Sequence, residues 1–188
     1  MQRNIIIRPA TIDDAEFIAS NVLAAIGLDF PGKEHIEKLA DICRRTDTLY
    51  SWKNTVIAMV DGADAGSITA YDGARYKAMR AITFPLFVPI TGNDFSHMVD
   101  ETCEGEFYVD SLAVVPQYRR MGVARALLRH SFQQATNAHI PLTTIAVDPL
   151  NEKALRLYTS VGFHDTGEIF IFDYGYHRME KQNNPSES

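Results

Sequence analysis

The sequence predicts one α/β (α+β) domain in which a sheet is covered by helices on both faces. Two observations carry this. Short β-branched and aromatic runs alternate with stretches whose apolar residues recur at helical spacing, along nearly all of the 188 residues. The run PLTTIAV, Pro141 to Val147, is apolar on both sides apart from two threonines, which suits a strand covered from above and below. This length suits a single domain with a substantial core, and no internal repeat is visible. The domain is expected over residues 1–179, and the polar stretch 180–188 is expected to fray.

In chain order, Asn4 to Ile7 reads as a short strand closed by Pro9. Thr11 caps a helix, with Asp14 three residues later in a capping-box arrangement, and Ala15, Ile18, Ala19, Val22 and Ile26 form its apolar face. Gly27 to Gly32 breaks it. A second helix follows from Lys33 to about Arg45, with Ile36, Leu39, Ala40 and Cys43 inward. Thr55 to Val60 and Gly66 to Tyr71 are strands joined through Asp61-Gly62, a hairpin signal. The segment from Asp72 to Met98 is longer than a strand-to-strand connection requires. It reads either as a lid bordering a substrate pocket or as a helix resting on the sheet, with helical character from Arg75 stopping at Pro85.

Phe107 to Val115 is a buried strand stopped by Pro116, and a helix runs from Gly122 to about Asn137. After the PLTTIAV strand, Asn151 starts a helix that ends near Val161, with Gly162 as a left-handed stop and Phe163 as the apolar contact after it. Two strands finish the chain, about Phe163 to Gly167 and Glu168 to Met179. In the second, Phe170, Phe172, Tyr174 and Tyr176 alternate with other residues.

Composition excludes more than it identifies. A net charge of −6 argues against a nucleic-acid partner held by phosphate neutralisation. No apolar run approaches the roughly 20 residues that span a bilayer. The N-terminus carries no signal-peptide apolar region, and Cys43 and Cys103 do not form a metal-spaced pair, so a reduced, cytoplasmic setting is expected. The six histidines show no metal-ligand spacing, so no metal is expected.

The most informative stretch is Glu106 to Arg125, EFYVDSLAVVPQYRRMGVAR. A strand runs into a short turn, two cations and a glycine, and then a helix N-terminus. The first helical turn leaves backbone N–H groups without partners, and the aligned peptide dipoles place about half a positive charge there. Gly122 lets a ligand approach the main chain, Ala124 keeps the next exposed position small, and Arg119 and Arg120 can add charge-assisted bonds. The ligand expected here is a pyrophosphate held mainly by main chain.

The spacing Arg119-x-x-Gly122-x-Ala124 after the Leu112-Ala113-Val114 strand resembles the acetyl-CoA motif of the GNAT superfamily of acyl-CoA-dependent N-acetyltransferases. A second segment, Asn151-x-x-Ala-x-x-Leu-Tyr158-x-x-x-Gly162-Phe163, is similar to the same family's region after the fifth strand. The resemblance implies a mixed, mostly antiparallel sheet of about seven strands. It implies acetyl-CoA as co-substrate, with Arg119, Arg120, Met121, Gly122, Val123 and Ala124 around the phosphates. It also implies a splayed central strand whose main-chain groups at Leu112, Ala113 and Val114 bond the pantetheine as an added strand. Asn151 would contact the pantetheine arm. Tyr158, about 10 Å farther along the same helix face, would donate a proton to the departing thiolate.

The proton acceptor is open. Asp110 is the first candidate, because by alternation it shares a face with Leu112, and an unpaired carboxylate in an apolar strand is costly unless it functions or has a hidden partner. Glu106, farther back on that face, could act through water. The implied reaction is direct attack of a small-molecule or peptide amine on the acetyl thioester, and a homodimer is compatible with the resemblance. Two other readings are a non-catalytic acyl-CoA-binding module and a Rossmann-like dinucleotide protein. The second is disfavoured because no GxGxxG is present.

Overall fold

The structure, a computed structural model, describes residues 4–26, 33–171 and 174–183. The break expected over residues 27–32, the position of Phe172 and the tail beyond Asn183 lie outside these residues. Among them, seven strands form one sheet in the order β1-β2-β3-β4-β5-β7-β6. They are β1 (Ile5–Pro9), β2 (Thr55–Val60), β3 (Ala63–Asp72), β4 (Glu106–Val114), β5 (Leu142–Val147), β6 (His164–Ile171) and β7 (Tyr174–Gln182). Every neighbouring pair is antiparallel except β4 and β5, so the sheet is mixed and mostly antiparallel, as the family resemblance implies.

Helices α1 (Ala15–Ile26), α2 (Lys33–Arg44) and α3 (Tyr76–Thr91) cover one face, where Ile18, Leu39, Tyr76 and Phe87 are buried with Tyr71 and Tyr108. Helices α4 (Val123–Asn137) and α5 (Glu152–Ser160) cover the other, with Leu127, Leu128 and Tyr158 buried against Val109 and Ile145. None of these helices is long and apolar enough to cross a membrane.

Local signals place most of these ends. The Asp14 carboxylate accepts from the Thr11 N–H at 2.7 Å ahead of α1. Asp61 and Gly62, both at positive φ, turn β2 into β3. Asn151 caps α5, its Oδ1 accepting from the Ala154 N–H at 3.1 Å, and Gly162 at φ 101° stops it.

Three expectations need correction. Helix α3 does not stop at Pro85 but continues through Pro85 and Pro89 to Thr91. Each interior proline costs about 3 kcal/mol. Burying Met79, Phe84, Phe87 and Ile90, each about 1.5–3 kcal/mol, offsets that cost, so packing overrides the local breakers. The last two strands do not divide near Gly167. That glycine sits at a register shift within β6, which runs on to Ile171, and Ile171 pairs with Tyr174 of β7. Finally, the chain is not frayed from Glu180. Strand β7 continues to Gln182 because β5 pairs with it as far as Leu142–Gln182, while β6 pairs with it as far as Glu180. The Asn183 side chain then ties to Thr143 at 2.9 Å.

One contact ties the loop after α3 to the sheet. A Cβ on Gly73 would stand 2.2 Å from the Cys103 carbonyl oxygen and 2.6 Å from Thr102 Oγ1. The Cys103 oxygen is backbone and cannot step aside. Gly73→Ala is therefore expected to destabilise the fold by about 1–3 kcal/mol in thermal or urea unfolding. An unchanged midpoint would contradict this packing.

Candidate active site

The site begins where two strands part. Strands β4 and β5 are paired from Glu106–Leu142 to Val109–Ile145, and there the ladder ends. Yet β4 runs on to Val114, and β5 runs on to Val147 along β7. Past Val109, β4 is paired through β3 alone. Leu112, Ala113 and Val114, the expected pantetheine contacts, lie on this one-sided stretch and are all part-exposed. Their β5-facing edge has the form of an open edge to which an extended chain can bond.

At the end of that edge the chain enters α4 through two positive-φ residues, Arg120 at 63° and Gly122 at 87°. Such turns direct successive N–H groups into one concavity. The first helical bond of α4 runs from the Ala126 N–H to the Gly122 carbonyl at 3.0 Å, which leaves the N–H groups just before it to a ligand or water. Open space surrounds Gly122, where an added Cβ would meet only Ile5 Cδ1 at 3.9 Å. Glycine is required here for its φ and for close approach from outside, not by internal packing. Val123 is buried and Met121 packs toward the same core, so these two offer main chain rather than side chain. Ala124 is half-buried. Arg119 and Arg120 are exposed, but Arg119 Nε donates to the Val114 carbonyl at 3.1 Å. That bond binds the turn to the strand and occupies one of the expected pantetheine acceptors.

Tyr158 is buried on the α4–α5 face, its ring 5.8 Å from that of Phe163. Burial pushes its phenol well above the usual value near 10, so it holds its proton throughout the neutral range. Asn151 stands at the start of the same helix as its N-cap, with φ −86° and ψ 66°, and its carbonyl accepts from the Leu155 N–H at 3.0 Å. Its Oδ1 is engaged in the cap, which leaves the Nδ2 donors.

The carboxylates differ most from expectation. Thr69 pairs with Ser111 and Ala70 with Val109, which leaves Asp110 as an extra residue in β4. This bulge reverses the alternation. Leu112 and Val114 therefore join the α4–α5 face, whereas Asp110 faces α1–α3 and accepts from the Tyr71 hydroxyl at 2.5 Å. Asp110 does not share a face with Leu112, and Tyr71 is its hidden partner. Glu106 is not a free base either. It accepts from Arg178 at 2.6 Å and from Thr102 at 2.7 Å. Burial would raise its carboxyl, but the Thr102 hydroxyl and the Arg178 guanidinium together hold it below the usual range.

A second carboxylate beside Asp110 is absent from the sequence-based expectations. Glu101 accepts from the Tyr108 hydroxyl at 2.7 Å and from the Tyr76 hydroxyl at 3.2 Å, and the Tyr108 ring lies 6.0 Å from that of Tyr71. Burial, with the charge of Glu101 next in size, pushes Asp110 up to about 8 against the opposing bond from Tyr71. Burial likewise raises Glu101 against the bonds from Tyr108 and Tyr76. Tyr108 was within reach of sequence reasoning, since it stands two residues before Asp110. Glu101 was not, because it lies in an irregular loop that carries no period. Among the described residues no group of three or more His, Cys, Asp and Glu is placed to hold a metal.

Folding leaves Asp110 protonated between its ordinary value near 4 and about 8, a window in which the unfolded chain has released the proton. The folded state binds more protons there, so this group lowers stability as pH rises through the window. Asp110→Asn, which keeps an acceptor for Tyr71, is expected to raise Tm by a few degrees at about pH 9 and to leave it nearly unchanged at about pH 4. Calorimetry at the two pH values checks it, and an equal or reversed difference would contradict the burial of an ionisable Asp110.

Residues 33–163 match the model of the Acetyltransferase (GNAT) family. Over 71 residues the chain is 34% identical to the mycothiol acetyltransferase of Acidothermus cellulolyticus, covering 38% of this chain and 21% of that protein. Over 68 residues it is 35% identical to the peptidyl-lysine N-acetyltransferase YjaB of Escherichia coli, covering 36% and 43%. The matched stretch thus spans less than half the length of either curated relative. Solved structures match over nearly the whole chain. A crystal structure of an acetyltransferase has a TM-score of 0.77 at 25% identity, covering 95% of this chain and all of that one. An N-acetyltransferase from Staphylococcus aureus Mu50 has a TM-score of 0.75 at 24% identity, covering 93% and 99%. With the parted strands and the glycine turn into α4, the family match over residues 33–163 establishes that the chain belongs to the GNAT family of acetyltransferases.

Proposed function

We propose that the protein transfers an acetyl group from acetyl-CoA to a primary amine by direct attack within the opening between β4 and β5. One observation carries this reading. The ladder ends at Val109, and Tyr158 and Asp110 flank the opened sheet from opposite faces. Both can serve one reacting centre only if it lies between the strands, where it is reachable from either side.

The roles follow from the chemistry of each group. The N–H groups around Gly122 and the start of α4 receive the diphosphate, and the one-sided edge at Leu112–Val114 bonds the pantetheine arm. A PaiA N-acetyltransferase from Thermoplasma acidophilum in complex with coenzyme A, with a TM-score of 0.59 at 16% identity over 95% of this chain and 99% of that one, shares this fold. The acceptor arrives as an ammonium on the α1–α3 face, where Tyr71, Tyr76, Tyr108, Glu101 and Asp110 make an aromatic, acidic lining. Asp110 takes the proton that frees the nitrogen lone pair, which a carboxylate shifted toward neutral pH does far better than an ordinary one. The nitrogen bonds to the acetyl carbon, the carbon–sulfur bond breaks as Tyr158 gives its proton to the leaving sulfur, and the second proton lost by the nitrogen passes through solvent to restore the phenol. The acceptor is a small-molecule or peptide amine, and the acidic lining favours a cationic one.

Release of free thiol from acetyl-CoA, measured over a panel of amino acids, diamines and peptides, tests the reading. Turnover on at least one amine is expected. Binding of acetyl-CoA with no turnover on any would instead support a binding module. Tyr158→Phe is expected to lower kcat by about 10²-fold while leaving the acetyl-CoA Kd nearly unchanged, and an unchanged kcat would remove the phenol from the mechanism. Gly122→Glu is expected to abolish acetyl-CoA binding by calorimetry, beyond the roughly 1–2 kcal/mol of backbone strain that Gly122→Ala reports alone. Normal binding by Gly122→Glu would overturn the phosphate assignment.

A further inference from the structure

We propose that Glu101 is a positioning residue that acts through Asp110, making that carboxylate able to take up the proton of the incoming ammonium. The inference rests on the reading of Asp110 as base and adds a second group to it.

Glu101 is built into its place from three sides. The phenols of Tyr108 and Tyr76 donate to its carboxylate, and Arg178 Nη1 donates to its backbone carbonyl at 2.9 Å. The loop that follows it is pressed against Gly73. What surrounds it is short of positive charge. The guanidinium groups beside it are paired with other carboxylates: Arg80, whose charge partly offsets that of Glu101, with Asp100 at 2.6 Å, and Arg178 with Glu106 at 2.6 Å. No ion pair among the described residues includes Glu101 or Asp110.

Hydroxyl donors stabilise a carboxylate but do not cancel its charge. The negative charge of Glu101 is therefore exerted on its buried neighbours. The groups facing this pair come from every surrounding element. They are Tyr71 of β3, Tyr108 of β4, Tyr76 and Arg80 of α3, Tyr50 after α2 and Tyr176 of β7. All but Arg80 are phenols that are neutral when protonated, and each phenol is raised by burial. Two like charges in such a setting do not both form readily, so one site keeps a proton toward neutral pH. Asp110, with one hydrogen bond against two for Glu101, is the one left to hold it.

Carboxyl 13C NMR on protein labelled at aspartate side chains tests this without an acceptor, with Asp110→Asn identifying the resonance. Wild-type Asp110 is expected to titrate in the neutral range or above, with a biphasic curve that also reports the ionisation of Glu101. Glu101→Gln should lower its midpoint by about one pH unit or more, and Glu101→Asp, which keeps the charge, should largely restore it. A wild-type midpoint near 4 would overturn the reading of Asp110 as base, and the present inference with it. A raised, single-step titration that Glu101→Gln leaves in place would overturn the role of Glu101 alone. If Glu101→Gln does not fold, judged from its 15N–1H spectrum, the wild-type curve decides: biphasic supports the pair and single-step overturns it.

Discussion

The parting of β4 from β5 after Val109 is the constraint on which the rest depends. Two parallel strands that stayed together would saturate both edges of β4 and leave the sheet closed. Because the ladder stops, no strand pairs with the β5-facing edge of Leu112–Val114, where only the Val114 carbonyl is taken, by Arg119. The bulge at Asp110 lies just past the last paired residue. It turns the following residues over, so the strand presents a carboxylate to one face and aliphatic side chains to the other within three positions. Bulges are common beside active sites because they re-aim side chains in this way.

The two faces are chemically unlike. Around Tyr158 the lining is aliphatic and aromatic, and burial keeps the phenol protonated. Around Asp110 are phenols and a second carboxylate, an arrangement that costs stability wherever its charges form unpaired. Such a cluster beside an open strand edge concentrates strained protonation states where a proton is to be moved. An acid held neutral on one side and a carboxylate held near neutrality on the other make a complementary pair for the proposed amine acetylation.

Much of the frame was legible because it is governed by local rules. The Thr11–Asp14 cap, the Asp61-Gly62 turn, the Gly122 start of α4 and the Asn151 to Gly162 limits of α5 are each set by a few adjacent residues. What failed depended on distant partners. The prolines of α3 are tolerated because core packing outweighs a lost local bond, and β7 holds beyond Met179 because β5 pairs with it through Gln182. Asp110 was found as a residue but assigned to the wrong face, since a bulge leaves no mark on a period-two pattern. Glu106 looked like a spare carboxylate until Arg178, 72 positions away, was seen to neutralise it. Glu101 reaches the site only through the tertiary placement of its loop.

The GNAT family match accounts for the shared frame, whereas the curated relatives cover too little of their own length to name an acceptor. The buried cluster of phenols and carboxylates on the α1–α3 side of β4 is this chain's own evidence on that question. The most direct measurement is a crystal structure of the protein with coenzyme A. The account predicts the diphosphate on the amides flanking Gly122, the pantetheine along Leu112–Val114, and the sulfur within hydrogen-bonding reach of the Tyr158 hydroxyl. Coenzyme A bound away from the gap between β4 and β5, or with its sulfur remote from Tyr158, would contradict it.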